Sequence, residues 1–97
     1  MKMKTNKVWE MKKNYLIRTV THIQVGKLVC VTDKELVLEK ASWIADTGRF
    51  MNALRDGIGK QADSEIEPFP EKSRVIIGRD SIIDAVRYDH ELPTEQK

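Results

Sequence analysis

The chain has 97 residues, room for one core, and a domain this short buries only roughly 60–65 % of the surface its unfolded chain exposes, so self-association would help it. Its 40 % hydrophobic and 33 % charged residues are the composition of a globular protein, and 17 basic against 15 acidic residues leave +2, too little for nucleic-acid binding by phosphate neutralisation alone. No run approaches the roughly 20 apolar residues of a membrane span, no apolar core follows the basic start as in a secretory signal, and a single cysteine excludes an internal disulfide.

These exclusions predict a cytoplasmic protein with Cys30 as a buried structural thiol. The basic charge is concentrated in residues 1–13, where Lys2, Lys4, Lys7, Lys12 and Lys13 stand against Glu10 alone. That segment has neither a two-residue nor a 3.6-residue period. It is predicted to be a flexible basic arm, with Trp9 as its one anchor candidate and Met11 as a second possible start.

Residues 14–88 are predicted to form one domain. From Tyr15 to Val25, Tyr15, Ile17, Thr19, Thr21 and Ile23 alternate with Leu16, Arg18, Val20 and His22, the pattern of a strand rich in β-branched residues. Gly26 interrupts it as a bend or bulge, and Lys27 to Thr32 continues as a second strand. Asp33-Lys34 reads as a tight hairpin turn, after which Glu35 to Ala41 returns with Leu36 and Leu38 on one face and Val37 on the other, extended to Ile44.

At Asp46-Thr47-Gly48 the pattern changes. Asp46 or Thr47 is placed to cap a short helix over Arg49 to Arg55, with Phe50, Met51 and Leu54 on one face and Gly57 ending it. Gly59 to Glu65 is turn-like, and Pro68-Phe69-Pro70 is an extended connection that no central strand accommodates. Arg74 to Ile77 and Ile82 to Tyr88 are two further strands joined through Gly78-Arg79-Asp80-Ser81. Residues 89–97 are polar, broken by Pro93, and predicted to fray.

Five or so short strands with one helix predict a mainly-β fold, a small, strongly bent antiparallel barrel in which closure removes exposed edges. Val25-Gly26-Lys27-Leu28, Asp33 and Leu36-Val37-Leu38 resemble the first half of an Sm-like barrel, and Val75-Ile76-Ile77-Gly78 with Ile82 resembles its second half. A helix-bearing insertion separates the two. The family typically carries a base-reading asparagine where this chain has Val37, so the resemblance implies the barrel more than RNA binding. A longer resemblance, from about Tyr15 onward, is to small uncharacterised proteins of bacteriophages and their hosts. Tyr15-Leu16-Ile17-Arg18-Thr19-Val20-Thr21, Trp43-Ile44-Ala45-Asp46-Thr47-Gly48-Arg49-Phe50 and Leu92-Pro93-Thr94-Glu95-Gln96 carry it. It implies a phage-type origin, and so a host-cell cytoplasm, but no activity.

The sequence contains no phosphate loop, no zinc-protease motif, no CxxC and no nucleophile elbow. The expectation is a protein that is not an enzyme and that needs no metal or cofactor. The densest constellation runs from Trp43 to Phe50. An aromatic ring at Trp43 or Phe50 could stack a base while Arg49 meets a phosphate near the helix start, with Asp46 and Thr47 adding polar contacts. The same residues also fit a plain cap and core. Arg79, at the last turn, and His22, beside Arg18, are further candidates. Together these predict a homo-oligomer that binds and sequesters a small anionic, nucleotide-like ligand, as a phage accessory protein countering host defence signalling would. An Sm-like RNA-binding ring and a protein–protein inhibitor or adaptor of a host enzyme are the alternatives.

Overall fold

The computed structural model describes residues 8–97. It contains six strands: β1 (Asn14–Thr19), β2 (Ile23–Val31), β3 (Glu35–Asp46), β4 (Glu65–Pro68), β5 (Arg74–Gly78) and β6 (Ile82–Arg87). Among the described residues there is one α-helix, α1 (Phe50–Asp56), followed by a 3-10 turn over Ile58–Lys60. All strand pairs are antiparallel and belong to one sheet. The fold is mainly β, and its helix lies in the connection between β3 and β4.

The path of the sheet is β4-β3-β2-β1-β6, with β5 pairing the first half of β3. Twelve-residue β3 therefore serves two neighbours on one edge: Glu35 to Glu39 pair β5, and Ser42 to Asp46 pair β4. The strand bends between those halves at Lys40, whose φ of 52° is left-handed. Opposite the bend, the β2 register skips so that Val25 faces Ser42 while Lys27 faces Glu39, setting Lys40 and Ala41 against Gly26 alone, one extra residue on β3. Gly26 lies at this close approach, where an added Cβ would come within 2.9 Å of the Ala41 Cβ. The bulge expected at Gly26 is present in this pairing, but β2 runs through it as one strand, and the glycine also serves close packing.

The sheet has cores on both faces. Tyr15, Ile17, Leu28, Leu36, Leu38, Ala41 and Ile77 form one, with Trp9 and Phe69 against it. Leu16, Val25, Ile44, Ala53, Ile58, Ile66 and Tyr88 form the other, with Phe50, Leu54 and Leu92 against it. Alternate residues of β1 thus enter opposite cores, which is why Tyr15-Leu16-Ile17 is continuously apolar: β1 is a central strand between β2 and β6 with both faces covered.

Several expectations change. The single strand predicted over Tyr15 to Val25 is two strands, turning at Val20-Thr21-His22. The predicted barrel is an open sheet, because the 3-10 turn Arg79–Ser81 sends β5 and β6 to different neighbours, β3 and β1, and leaves them unpaired with each other. The helix buries Ala53, whereas Met51, predicted to share the apolar face, is exposed. Cys30 is exposed on β2, not buried.

The predicted domain boundaries also shift. Residues 1–7 of the predicted arm lie outside the described residues, but residues 8–13 are tied to the sheet. The Trp9 ring meets Tyr15 edge-on at 5.2 Å, the Glu10 amide donates to the Tyr15 hydroxyl at 2.9 Å, and the Lys13 carbonyl accepts from the Leu28 amide. Residues 89–97 also contact the sheet at their two ends. The Asn14 side-chain amide donates to the His90 carbonyl, and Ile66 and Lys97 exchange both backbone hydrogen bonds.

Candidate binding groove

The turn between β1 and β2 contains no glycine or proline and is built by a threonine. The Thr19 amide donates to the His22 carbonyl at 2.8 Å, and the Thr19 hydroxyl accepts from the His22 amide at 3.1 Å. The Val20 amide in turn donates to the Ser81 carbonyl, which fixes the turn against the start of β6. A groove of about 360 Å³ opens there, lined by Arg18, Val20, His22, Trp43, Ala45 and Ile83 among others.

Trp43 reaches the groove because β3 pairs β2 with Trp43 opposite Gln24 and Ile44 opposite Ile23. Ile44 goes into the core, so Trp43 faces out, 37 % exposed. The His22 ring stands edge-on to it, 6.0 Å between centroids and 61° between planes. Val20 and Ile83 are 74 % and 63 % exposed, so the rim is apolar.

The groove holds one guanidinium, and it is already paired. Arg18 faces Asp84 across β1 and β6, donating from Nε to Oδ1 at 2.7 Å and from Nη2 to Oδ2. The same guanidinium lies over the Phe50 ring, 5.1 Å from its centroid. The hydrogen bonds from Arg18 hold the Asp84 carboxyl below the usual carboxylate range, against the opposing effect of desolvation and with the help of the guanidinium charge. Arg18 is held correspondingly higher by Asp84. The pair is half open to solvent, so its value lies in positioning more than in stability.

Of the seven residues the sequence singles out, Trp43 and His22 line the groove, and Phe50 sits beneath Arg18, half-buried against the second core. Asp46 and Thr47 are used inside their own turn: the Asp46 carboxylate accepts from the Gly48 amide at 2.8 Å, and the buried Thr47 hydroxyl donates to the Gly48 carbonyl at 2.7 Å. Neither caps the helix, whose N-cap is Arg49 with no side-chain cap bond. Gly48 takes φ 70°, and an added Cβ would meet the Gln61 Cβ at 2.8 Å, so the turn requires glycine. The Arg49 side chain is exposed, with no hydrogen bond or ion pair among the described residues. Arg79 belongs elsewhere: its guanidinium donates to the Thr32 carbonyl and its amide to the Lys34 carbonyl, bracing the β2–β3 hairpin.

Arg18, Asp84, Val20 and Ile83 complete the groove and were not singled out as its lining. The signal for Ile83 is the pair Ile82-Ile83 at the start of a strand, where one of two adjacent side chains must face outward. Among the described residues no group of three or more His, Cys, Asp or Glu is placed to hold a metal, and no helix is long and apolar enough to cross a membrane. No family model, curated protein or solved structure matches the chain.

Proposed function

We propose that the protein is a non-catalytic binding module whose ligand is a flat, nucleotide-like molecule held at the Trp43–His22 groove, in an assembly of copies joined through the open edges of β5 and β6. The observation that carries the reading is the half-exposed Trp43 ring with His22 edge-on to it, in a groove whose guanidinium is neutralised by Asp84. Such a groove favours a planar ring over a bare anion, and its volume falls in the range of small-molecule sites, about 300–1,000 Å³. Arg49, next in sequence to Phe50 and unpaired among the described residues, is the cation we assign to the ligand's anionic part. A sequestering role is our inference from the small size, the lack of a catalytic motif in the sequence and the aromatic and arginine residues of the Trp43 to Phe50 segment, taken together with a phage-type resemblance that implies no activity by itself.

Self-association is supported by the unpaired outer edges of β5 and β6, whose Ile76 and Ile83 are both exposed. The test is a titration of tryptophan fluorescence with adenine and guanine mononucleotides, alongside light scattering. Saturable quenching in the wild type and its loss in Trp43→Leu is the expected result; no quenching by millimolar nucleotide refutes the ligand. A monomer at tens of micromolar refutes the assembly. The exposed Val20 and Ile83 favour one second reading, a protein–protein adaptor that docks on the same apolar rim. Under that reading Ile83→Lys abolishes partner capture while nucleotides have no effect.

A further inference from the structure

The outer edge of β4 is not open like those of β5 and β6, because the chain's own residues 89–97 lie on it. The Ile66 amide donates to the Lys97 carbonyl at 2.8 Å, and the Lys97 amide to the Ile66 carbonyl at 2.9 Å. Mutual exchange of both bonds is the hydrogen-bonded pair of an antiparallel ladder, so Lys97 sits as one rung of an added strand. Its ammonium is held by the carbonyls of Gly59, at 3.1 Å, and of Gln61, just past the 3-10 turn, the latter also accepting from the Ser64 amide and hydroxyl.

Between its anchors the segment behaves as an arch. Leu92 packs against the second core, and His90 Nε2 is 2.8 Å from the Leu54 carbonyl. Yet residues 91–96 make no hydrogen bond to the sheet and span a hollow of about 660 Å³ over Ile66 and Tyr88. The contacts that fix the segment are thus an apolar side chain, a histidine bonded through its ring and its carbonyl, one ladder rung and one lysine. None of them depends on the segment arriving from the same chain.

We propose that the β4 edge with its carbonyl notch is a strand-docking site, and that residues 89–97 of a second copy take the place of the chain's own. The occupant follows from the complementarity already present: a segment that fits the site in one chain fits the same site in another, and exchange of such a segment costs little beyond association. The segment follows buried Tyr88, whose amide still donates to the Asn14 carbonyl, so the connection that must reopen is the exposed Asp89, with release of the Asn14 bond to the His90 carbonyl. This inference rests on β4, not on the groove or the β5 and β6 edges, and stands or falls separately from them.

Disulfide trapping in the full chain tests it, with Cys30→Ser removing the exposed native thiol. Extending the Ile66–Lys97 register by one residue sets Gln96 opposite Glu67, both exposed, in a non-hydrogen-bonded pair whose Cα separation suits a disulfide. One chain carries Glu67→Cys and a second carries Gln96→Cys, so a bond between them forms only across chains. After mixing and mild oxidation, the expected result is a mixed dimer several-fold more abundant than either homodimer. Lys97→Ala in the Gln96→Cys chain should cut that yield several-fold. The double variant Glu67→Cys/Gln96→Cys should close within one chain when dilute and between chains when concentrated. A mixed dimer no more abundant relative to the homodimers than random pairing of the two thiols gives, with closure only within one chain, overturns the exchange. Failure of the double variant to close at all overturns the docking site itself.

Discussion

The Tyr88 hydroxyl is the sharpest handle on what holds the helical segment to the sheet. Tyr88 is almost wholly buried, and its oxygen accepts a 2.9 Å hydrogen bond from the amide of Ile58, which is itself fully buried. Tyr88→Phe keeps the ring, its edge-on contact with His90 and its volume, so no cavity term enters. What it removes is the acceptor, leaving the Ile58 N–H buried without a partner, at about 1–3 kcal/mol. For a domain of this size each kcal/mol corresponds to roughly 4–8 °C in Tm. Urea unfolding followed by circular dichroism should show a lower midpoint with an unchanged slope.

The pH dependence gives a second reading of the same contact. Burial pushes the Tyr88 phenol above its usual pKa, partly offset by the Ile58 hydrogen bond. A group raised in the folded state contributes its full stability below the unfolded value, about 10, and loses it as pH climbs through the folded value. The wild type therefore loses this contribution from about pH 10 upward, and Tyr88→Phe, with nothing to ionise, does not. The gap between the two proteins should hold up to about pH 9 and narrow as pH rises past about 10. A loss under about 0.5 kcal/mol at pH 7, well below the range for an orphaned buried amide, would refute the reasoning by showing that Ile58 finds another acceptor.

Gly26→Ala should destabilise by about 1–3 kcal/mol, the usual range for overpacking, because its Cβ would meet Ala41 at 2.9 Å; Ala41→Gly in the same chain should recover part of that loss in thermal melts. Trp9→Ala should cost about 1–2 kcal/mol of apolar burial, since the ring packs against Tyr15 and the first core; an unchanged melting curve would mean that residues 8–13 are a free arm after all. Asp84→Asn should lower the urea midpoint slightly at pH 7. Because the Asp84 carboxyl is held below its ordinary value, that difference should persist above about pH 4 and vanish as pH falls through the folded value.

The parts of this fold that were legible in the sequence are those punctuated by local chemistry. Asp33-Lys34 ends one strand and begins the next, and the ladder from Glu35 onward follows from alternating Leu36, Val37 and Leu38. The last two strands were placed within a residue because Gly78 to Ser81 separates two aliphatic runs. What escaped lacks such marks. The turn at Val20-Thr21-His22 is made of residues that favour strands and is closed by a threonine hydroxyl, whereas Gly26, expected as a bend or bulge, stands at a register shift inside one strand and is needed for close packing. The bend at Lys40 uses a lysine in a left-handed conformation.

Strand β4 carries one buried apolar residue, Ile66, among Glu65, Glu67 and Pro68, and it exists because β3 offers an edge. For the groove, Trp43 and His22 were legible as candidates, but their meeting depends on the β2–β3 register. Asp46 and Thr47 were chosen for chemistry that their own turn consumes. Arg79 looked available because its acceptor, the Thr32 carbonyl, lies 47 positions away in sequence.

The pairing of β1 with β6 sets the order in which the molecule can be assembled. Tyr15 lies opposite Arg87, so one whole edge of the innermost strand stays bare until the end of the sheet has been made. On a ribosome, the hairpins β1–β2 and β2–β3 can form while the rest is still being synthesised, since each closes a short loop. The sheet then waits, with the Tyr15-Leu16-Ile17 run partly uncovered, for residue 87 to clear the exit tunnel. Long-range closure of this kind slows folding and leaves an adhesive strand exposed meanwhile. Stalling translation between residues 60 and 80 should therefore produce nascent chains that need a holding chaperone, and release past residue 87 should free them.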